Sequence, residues 1–120
     1  MKLLIVDDSS IIRRAVQKYL DEFKLEIVGE AGDGKIAVEM FRSHSPDLVT
    51  MDITMPEMDG LAALEAMRSI NPAARILIVT ALRDKDTALE ALQKGASGFL
   101  GKPFTAEQLR GEIARLIQEA

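Results

Sequence analysis

Five short runs of β-branched and apolar residues alternate along this chain with stretches whose apolar residues recur at helical spacing. No other feature restricts the fold as much. The runs are Lys2–Val6, Leu25–Ala31, Asp47–Met51, Arg75–Thr80 and Gly98–Gly101. They are too short for buried helices and apolar nearly throughout, as strands covered on both faces are. Between them, Ser9 or Ser10 starts a helix that carries Ile12, Ala15, Val16, Tyr19, Leu20 and Phe23 at helical spacing. Asp33-Gly34 opens a second helix, with Ile36, Ala37, Met40 and Phe41 on one face, and Pro46 stops it. A third helix carries Leu61, Leu64 and Met67, and a fourth spans Asp84–Lys94 and closes at Gly95. Thr105 and Gln108 form a capping box for the fifth, which continues through Leu109, Ile113, Leu116 and Ile117. Strand and helix in strict alternation predict an α/β fold: a doubly wound, five-stranded parallel sheet with helices on both faces.

Such sheets bind ligands beyond the carboxyl ends of their strands, where strand order reverses. Polar residues collect at those ends here. Asp7 and Asp8 follow the first run, Asp52 the third, Thr80 ends the fourth, and Lys102 follows the fifth. Three carboxylates and one ammonium at one sheet edge are a costly arrangement, because close carboxylates resist ionising together. A divalent cation and a phosphoryl group in the working state relieve that cost.

The 120 residues form one expected domain, 1–120, long enough for a core without staples. A net charge of -4 argues against nucleic acid as a direct partner. The absence of cysteine excludes disulfides and thiolate metal sites. No apolar run approaches the roughly 20 residues of a membrane span. The chain opens directly into a strand, without a basic lead and apolar stretch, so the expectation is a cytoplasmic protein with no membrane association.

The order Asp7-Asp8, then Asp52-x-x-Met55-Pro56-x-Met58-Asp59-Gly60, then Thr80-Ala81, then Lys102-Pro103-Phe104 resembles the receiver domains of two-component response regulators, above all the single-domain chemotaxis regulators. The resemblance covers the whole chain. It implies strand order 2-1-3-4-5 in a flavodoxin-like arrangement with five helices. It also implies Asp52 as phosphoacceptor and Mg²⁺ as cofactor. Asp7, Asp8, Asp52 and the backbone carbonyl of Thr54 would be the metal ligands. Lys102, the Thr80 hydroxyl and the Ala81 backbone N–H would meet the phosphoryl oxygens, and Thr80 with Phe99 would form the switch. Many receivers carry tyrosine where this chain has Phe99, which has no hydroxyl and whose rotamer therefore rests on burial alone. The implied function is a phosphorylation-activated signalling switch that catalyses only its own phosphoryl transfer and slow dephosphorylation. The implied partners are a histidine kinase or phosphotransfer domain and a downstream protein target, with the chain itself a monomer. A receiver cut from a longer regulator and a phosphorelay intermediate are alternatives of the same class.

The output surface implied by the resemblance is the face of the fourth helix, fifth strand and fifth helix. Its members here are Arg83, Lys85, Ala88, Leu92, Phe99, Gly101, Thr105 and Glu112. At the start of the first helix, Ile11 and Ile12 point about 100° apart, so one of them is exposed. With Pro103 and Phe104 it is a candidate docking patch for the phosphohistidine domain.

Two other readings are weaker. The stretch from Gly29 to Lys35 has P-loop spacing, but Ile36 stands where a Mg²⁺-binding hydroxyl is needed, and Gly29 lies within a strand. A Mg²⁺-dependent aspartyl-phosphate phosphatase wants a second acid two residues after its nucleophile, and Thr54 occupies that position.

Overall fold

The computed structural model describes residues 1–55, 57–82 and 84–118. Along the chain run β1 (Lys2–Val6), α1 (Ser10–Tyr19), a 3₁₀ turn (Asp21–Phe23), β2 (Glu26–Ala31), α2 (Gly34–His44) and β3 (Leu48–Met51). They are followed by α3 (Gly60–Ile70), β4 (Arg75–Thr80), α4 (Lys85–Gln93), β5 (Gly98–Gly101) and α5 (Ala106–Gln118). The strands pair in parallel in the order β2-β1-β3-β4-β5, as the resemblance implies.

Each helix starts on a side-chain cap that satisfies one of its free N–H groups. Ser9 Oγ accepts from Ile12 N, Asp33 from Ile36 N, Asp59 from Ala62 N, and Asp84 from Thr87 N. The predicted box at α5 is complete: Gln108 N donates to Thr105 Oγ1 at 3.1 Å and Thr105 N to Gln108 Oε1 at 2.9 Å. Ser9, not Ser10, is the cap of α1.

The sheet has a core on each face. Val16 and Leu20 pack with Leu109, Ile113 and Leu116 of α5 over Leu3, Ile5, Leu48, Leu77 and Val79. On the other face, side chains of α2, α3 and α4 (Ala37, Phe41, Leu64, Met67 and Ala91 among them) cover Leu4, Val6, Val49, Met51, Ile76 and Ile78. The three central strands are buried nearly end to end. β2 lies at an edge and exposes Glu26 and Glu30, charges that oppose pairing with a further strand.

Two local expectations are corrected. Phe23 does not extend α1. The helix ends at Tyr19, and i→i+3 bonds from Phe23 N to Leu20 O and from Lys24 N to Asp21 O tighten the chain into a 3₁₀ turn. In α2 the buried stripe is Gly34, Ala37, Val38 and Phe41, and Ile36 is 42% exposed. Both stripes share Ala37 and Phe41. The one containing Gly34 faces inward because Gly34 meets the backbone of Met58, where a side chain does not fit.

Thr50, in register between Ile5 and Leu77, is buried, and its hydroxyl has no hydrogen-bond partner among the described residues. Valine keeps its shape and removes the stranded polar atom. Thr50→Val is expected to stabilise the fold by about 1 kcal/mol. Thermal unfolding checks this, and a midpoint at or below that of the parent refutes it.

Candidate functional site

Strand register brings the acids together. Val6 pairs with Met51 at the carboxyl ends of β1 and β3, so Asp7 and Asp52 leave the sheet at the same level. The ladder continues one step beyond both strands: Asp7 N donates to Ala31 O at 3.0 Å, and Asp52 N to Val6 O at 3.1 Å. At the far side, Lys102 N donates to Thr80 O at 2.8 Å, extending the β4–β5 pairing. Neighbouring strands lie about 4.8 Å apart. The Lys102 side chain therefore crosses β4 to reach the acids. Its ammonium donates to Asp7 Oδ2 at 2.7 Å and to Asp52 Oδ2 at 3.0 Å.

Each buried acid has a second tether. Ser9 N donates to Asp7 Oδ1 at 2.9 Å, and Thr54 N to Asp52 Oδ1 at 3.1 Å. Asp7 and Asp52 are almost fully buried, whereas Asp8 is exposed. Asp7, Asp8 and Asp52 each offer one oxygen within 4.8 Å of the other two. Burial pushes the Asp7 carboxyl above the usual aspartate range, and the hydrogen bonds from Lys102 and Ser9 only partly offset it. Burial alone would lower the Lys102 ammonium. The hydrogen bonds to Asp7 and Asp52 override it and hold Lys102 above the ordinary lysine value.

The charges do not balance. Three ionised carboxylates beside one ammonium leave two negative charges, the amount one divalent cation neutralises. Hard carboxylate oxygens in a compact, partly solvated cluster are the donor set Mg²⁺ takes, since it keeps several waters and needs few protein ligands. The residues present fit that ion.

Of the other predicted site residues, Thr80 and Thr54 are tied through their own backbone groups by hydrogen bonds to Lys102 and Asp52. Thr80 is fully buried at the end of β4, and its hydroxyl oxygen accepts from Leu82 N at 3.3 Å. Ala81 is exposed beside it, and Thr54 is exposed just past Asp52. Phe99 is half-buried on β5, opposite Ile78, and packs on the α2–α3–α4 side of the core. Ile11 is 74% exposed while Ile12 packs inward, the split that their spacing requires. The P-loop spacing serves another purpose, since Gly29 lies in β2, Asp33 caps α2, and Ile36 occupies the exposed face.

Sequence reasoning missed Arg13, whose Nη1 donates to the Asp7 carbonyl at 2.6 Å. No local signal marks it, because a basic residue on a helix ordinarily faces solvent. It also missed Leu89, 56% exposed on α4 beside Leu92, which is 49% exposed. Leu89 breaks the polar pattern of that helix face, and this was a readable signal.

Comparison with known proteins agrees with this geometry. The family model of the response regulator receiver domain matches residues 3–114. The chemotaxis protein CheY of Bacillus subtilis (strain 168) is 44% identical over 116 residues, 97% of each chain. CheY of Thermotoga maritima is 40% identical over 103 residues, 86% of each chain. A chain of the CheX–CheY–BeF₃–Mg²⁺ complex from Borrelia burgdorferi superposes with a TM-score of 0.94 at 30% identity, covering 98% of this chain and 89% of that one. With strand order, acidic cluster and sequence all in accord, the chain belongs to the response regulator receiver domain family, whose members are phosphorylation-activated signalling switches.

Proposed function

We propose that Asp52 accepts a phosphoryl group from a phosphohistidine donor, a histidine kinase or phosphotransfer domain, and that the modified domain changes its affinity for a protein target. One observation carries this reading: Lys102 Nζ bonds both Asp52 and Asp7, with Asp8 alongside, at the ends of β1, β3 and β5. In the transfer, a P–O bond forms at the Asp52 carboxylate as the P–N bond to the donor imidazole breaks. The ring nitrogen leaves with the electron pair. Two anions meet in this step, so charge neutralisation decides its rate. Asp7, Asp8, Asp52 and the Thr54 carbonyl would hold a Mg²⁺ ion, which would supply that neutralisation from one side.

This chain's own groups supply the rest. The Thr54 N–H keeps the Asp52 carboxylate oriented. The Lys102 ammonium, already at the carboxylate, passes to the phosphoryl oxygens as they arrive. The Ala81 N–H is a further donor to them. Thr80 contributes its hydroxyl proton, and its long contact with Leu82 N is a weak restraint on that movement. Movement of Thr80 opens room that Phe99 fills by turning inward. No carboxyl stands at Thr54 to relay a proton to water, so the phosphoryl group is lost slowly and the domain acts as a switch, not as a turnover enzyme.

The change is passed on through α4, β5 and α5. Lys85, Ala88 and Leu92 of α4, Phe99 and Gly101 of β5, Thr105 before α5 and Glu112 within it belong to those elements, and the exposed Leu89 of α4 adds apolar surface. Arg83 lies outside the described residues. Ile11, with Pro103 and Phe104, is the docking patch for the donor. Residues 1–120 act as one receiver domain, with a cytoplasmic site of action. No described helix is long and apolar enough to cross a membrane. The function is tested with acetyl phosphate and Mg²⁺, read by intact mass. The protein is expected to gain about 80 Da, one phosphoryl group, and Asp52→Asn to gain none. A variant that still gains that mass refutes Asp52 as the acceptor.

A further inference from the structure

Asp7 and Asp52 are each held by two hydrogen bonds, but Asp8 is not. Asp8 is exposed, and among the described residues its carboxylate accepts no hydrogen bond, although it completes the three-acid cluster. Its aim therefore depends on its backbone. The Asp7 carbonyl belongs to the planar peptide that joins Asp7 to Asp8, so the direction of that carbonyl sets where Asp8 starts. Arg13 holds it: Nη1 of this α1 residue donates to Asp7 O at 2.6 Å, a charge-assisted bond. Glu30 on β2 fixes the same guanidinium, accepting from Arg13 Nε at 3.0 Å, and its other oxygen accepts from Gln17 Nε2 at 2.6 Å. A continuous path runs from the edge strand through α1 to the acidic turn.

We propose that Arg13 is a positioning residue: by holding the Asp7 carbonyl, with Glu30 behind it, Arg13 aims Asp8 into the divalent-cation cluster. This rests on the reading of that cluster as a Mg²⁺ site. Two effects of Arg13 compete. Its positive charge opposes a nearby cation, whereas its hold preorganises a ligand of that cation. Glu30 neutralises the guanidinium at contact distance, so the long-range repulsion is small. The hold has no substitute among the described residues, where the Asp8 carboxylate accepts no hydrogen bond. Preorganisation wins.

The test is calorimetric titration of the intact chain with MgCl₂, well below its unfolding temperature. Residues that orient a metal ligand are typically worth 10- to 100-fold in metal affinity. Arg13→Ala is expected to weaken Mg²⁺ binding about 10-fold, at the lower end of that range. Arg13→Lys, which keeps the charge and loses the two-nitrogen fork, is expected to fall between it and the parent. Glu30→Gln is expected to weaken binding less than Arg13→Ala, and it decides the matter if Arg13→Ala does not fold. In an Asp8→Asn background, Arg13→Ala is expected to leave Mg²⁺ affinity unchanged, a coupling that general loosening of the fold does not produce. Tighter binding in Arg13→Ala, or lower stability with unaltered Mg²⁺ affinity, overturns the proposal. The acetyl phosphate assay on Asp52→Asn separates this outcome from failure of the functional reading. A parent protein that binds no Mg²⁺ overturns the Arg13 role at its premise.

Discussion

Lys102→Met is expected to slow phosphoryl uptake from acetyl phosphate by about 100-fold or more and to make the metal-free protein less stable by about 3 kcal/mol. The first effect follows from position. The ammonium stands 3.0 Å from the proposed acceptor carboxylate and is directed by two buried acids to where negative charge develops. Methionine fills similar volume and supplies no donor. Removing one preorganised donor from such a site commonly costs two to three orders of magnitude in rate. The second effect follows from what is left behind. Asp7 and Asp52 remain almost fully buried and face each other without a counter-ion. Breaking a buried pair from one side costs several kcal/mol, because the surviving charge stays desolvated. Added Mg²⁺ is expected to stabilise the variant more than the parent, since it restores the missing positive charge. Intact-mass time courses and urea unfolding with and without Mg²⁺ measure both effects. Uptake at the parental rate would remove Lys102 from the transfer.

Gly34→Ala is expected to destabilise the protein by about 3 kcal/mol, lowering its thermal midpoint by roughly 10 °C. On helix propensity alone, alanine at the first position of α2 would gain up to about 1 kcal/mol. Sterics reverse the sign. A Cβ at Gly34 would lie 1.9 Å from the Met58 carbonyl oxygen and 2.8 Å from its carbon. Both are backbone atoms, so no side chain can swing aside. α2 cannot yield easily either, since Asp33 ties its first turn through Ile36 N at 2.8 Å. The displaced partner is the segment between Asp52 and the Asp59 cap of α3. Gly60 closes that segment from the other end, where a Cβ would lie 2.4 Å from the Asp52 carbonyl oxygen. Gly34→Ala is therefore expected to slow phosphorylation of the folded fraction as well. A variant with the parental midpoint would show that the loop yields freely and would refute the argument.

Much of this was legible without the structure, for reasons that differ between elements. The meeting of Asp7, Asp52 and Lys102 at one edge was readable because each directly follows a strand, and strand ends of a parallel sheet share one edge. The capping box at Thr105 and Gln108 was readable because both partners lie within one helical turn. In contrast, Ile36 and Val38 compete for one helix. Periodicity admits either stripe, and only the close approach of Gly34 to Met58 selects the inward face. Phe23 was misassigned because helical spacing persists past Tyr19 while the hydrogen bonding tightens. Arg13 gave no signal, because its partners, the Asp7 carbonyl and Glu30, are a backbone atom and a residue of β2, 17 positions along the chain.

Periodicity, caps and punctuation within a few residues of one another determined the kind and succession of elements and the residues that stand at strand ends. Strand order did not follow from them. All five runs are apolar, so any could neighbour any other, and family resemblance supplied the order that the structure bears out. Tertiary structure alone decided that one lysine bridges two acids, 95 and 50 residues away along the chain, that Asp8 joins them, and that Arg13 supports the turn between. Those contacts are set by strand register and helix packing, which depend on the whole core at once and leave no trace in local spacing.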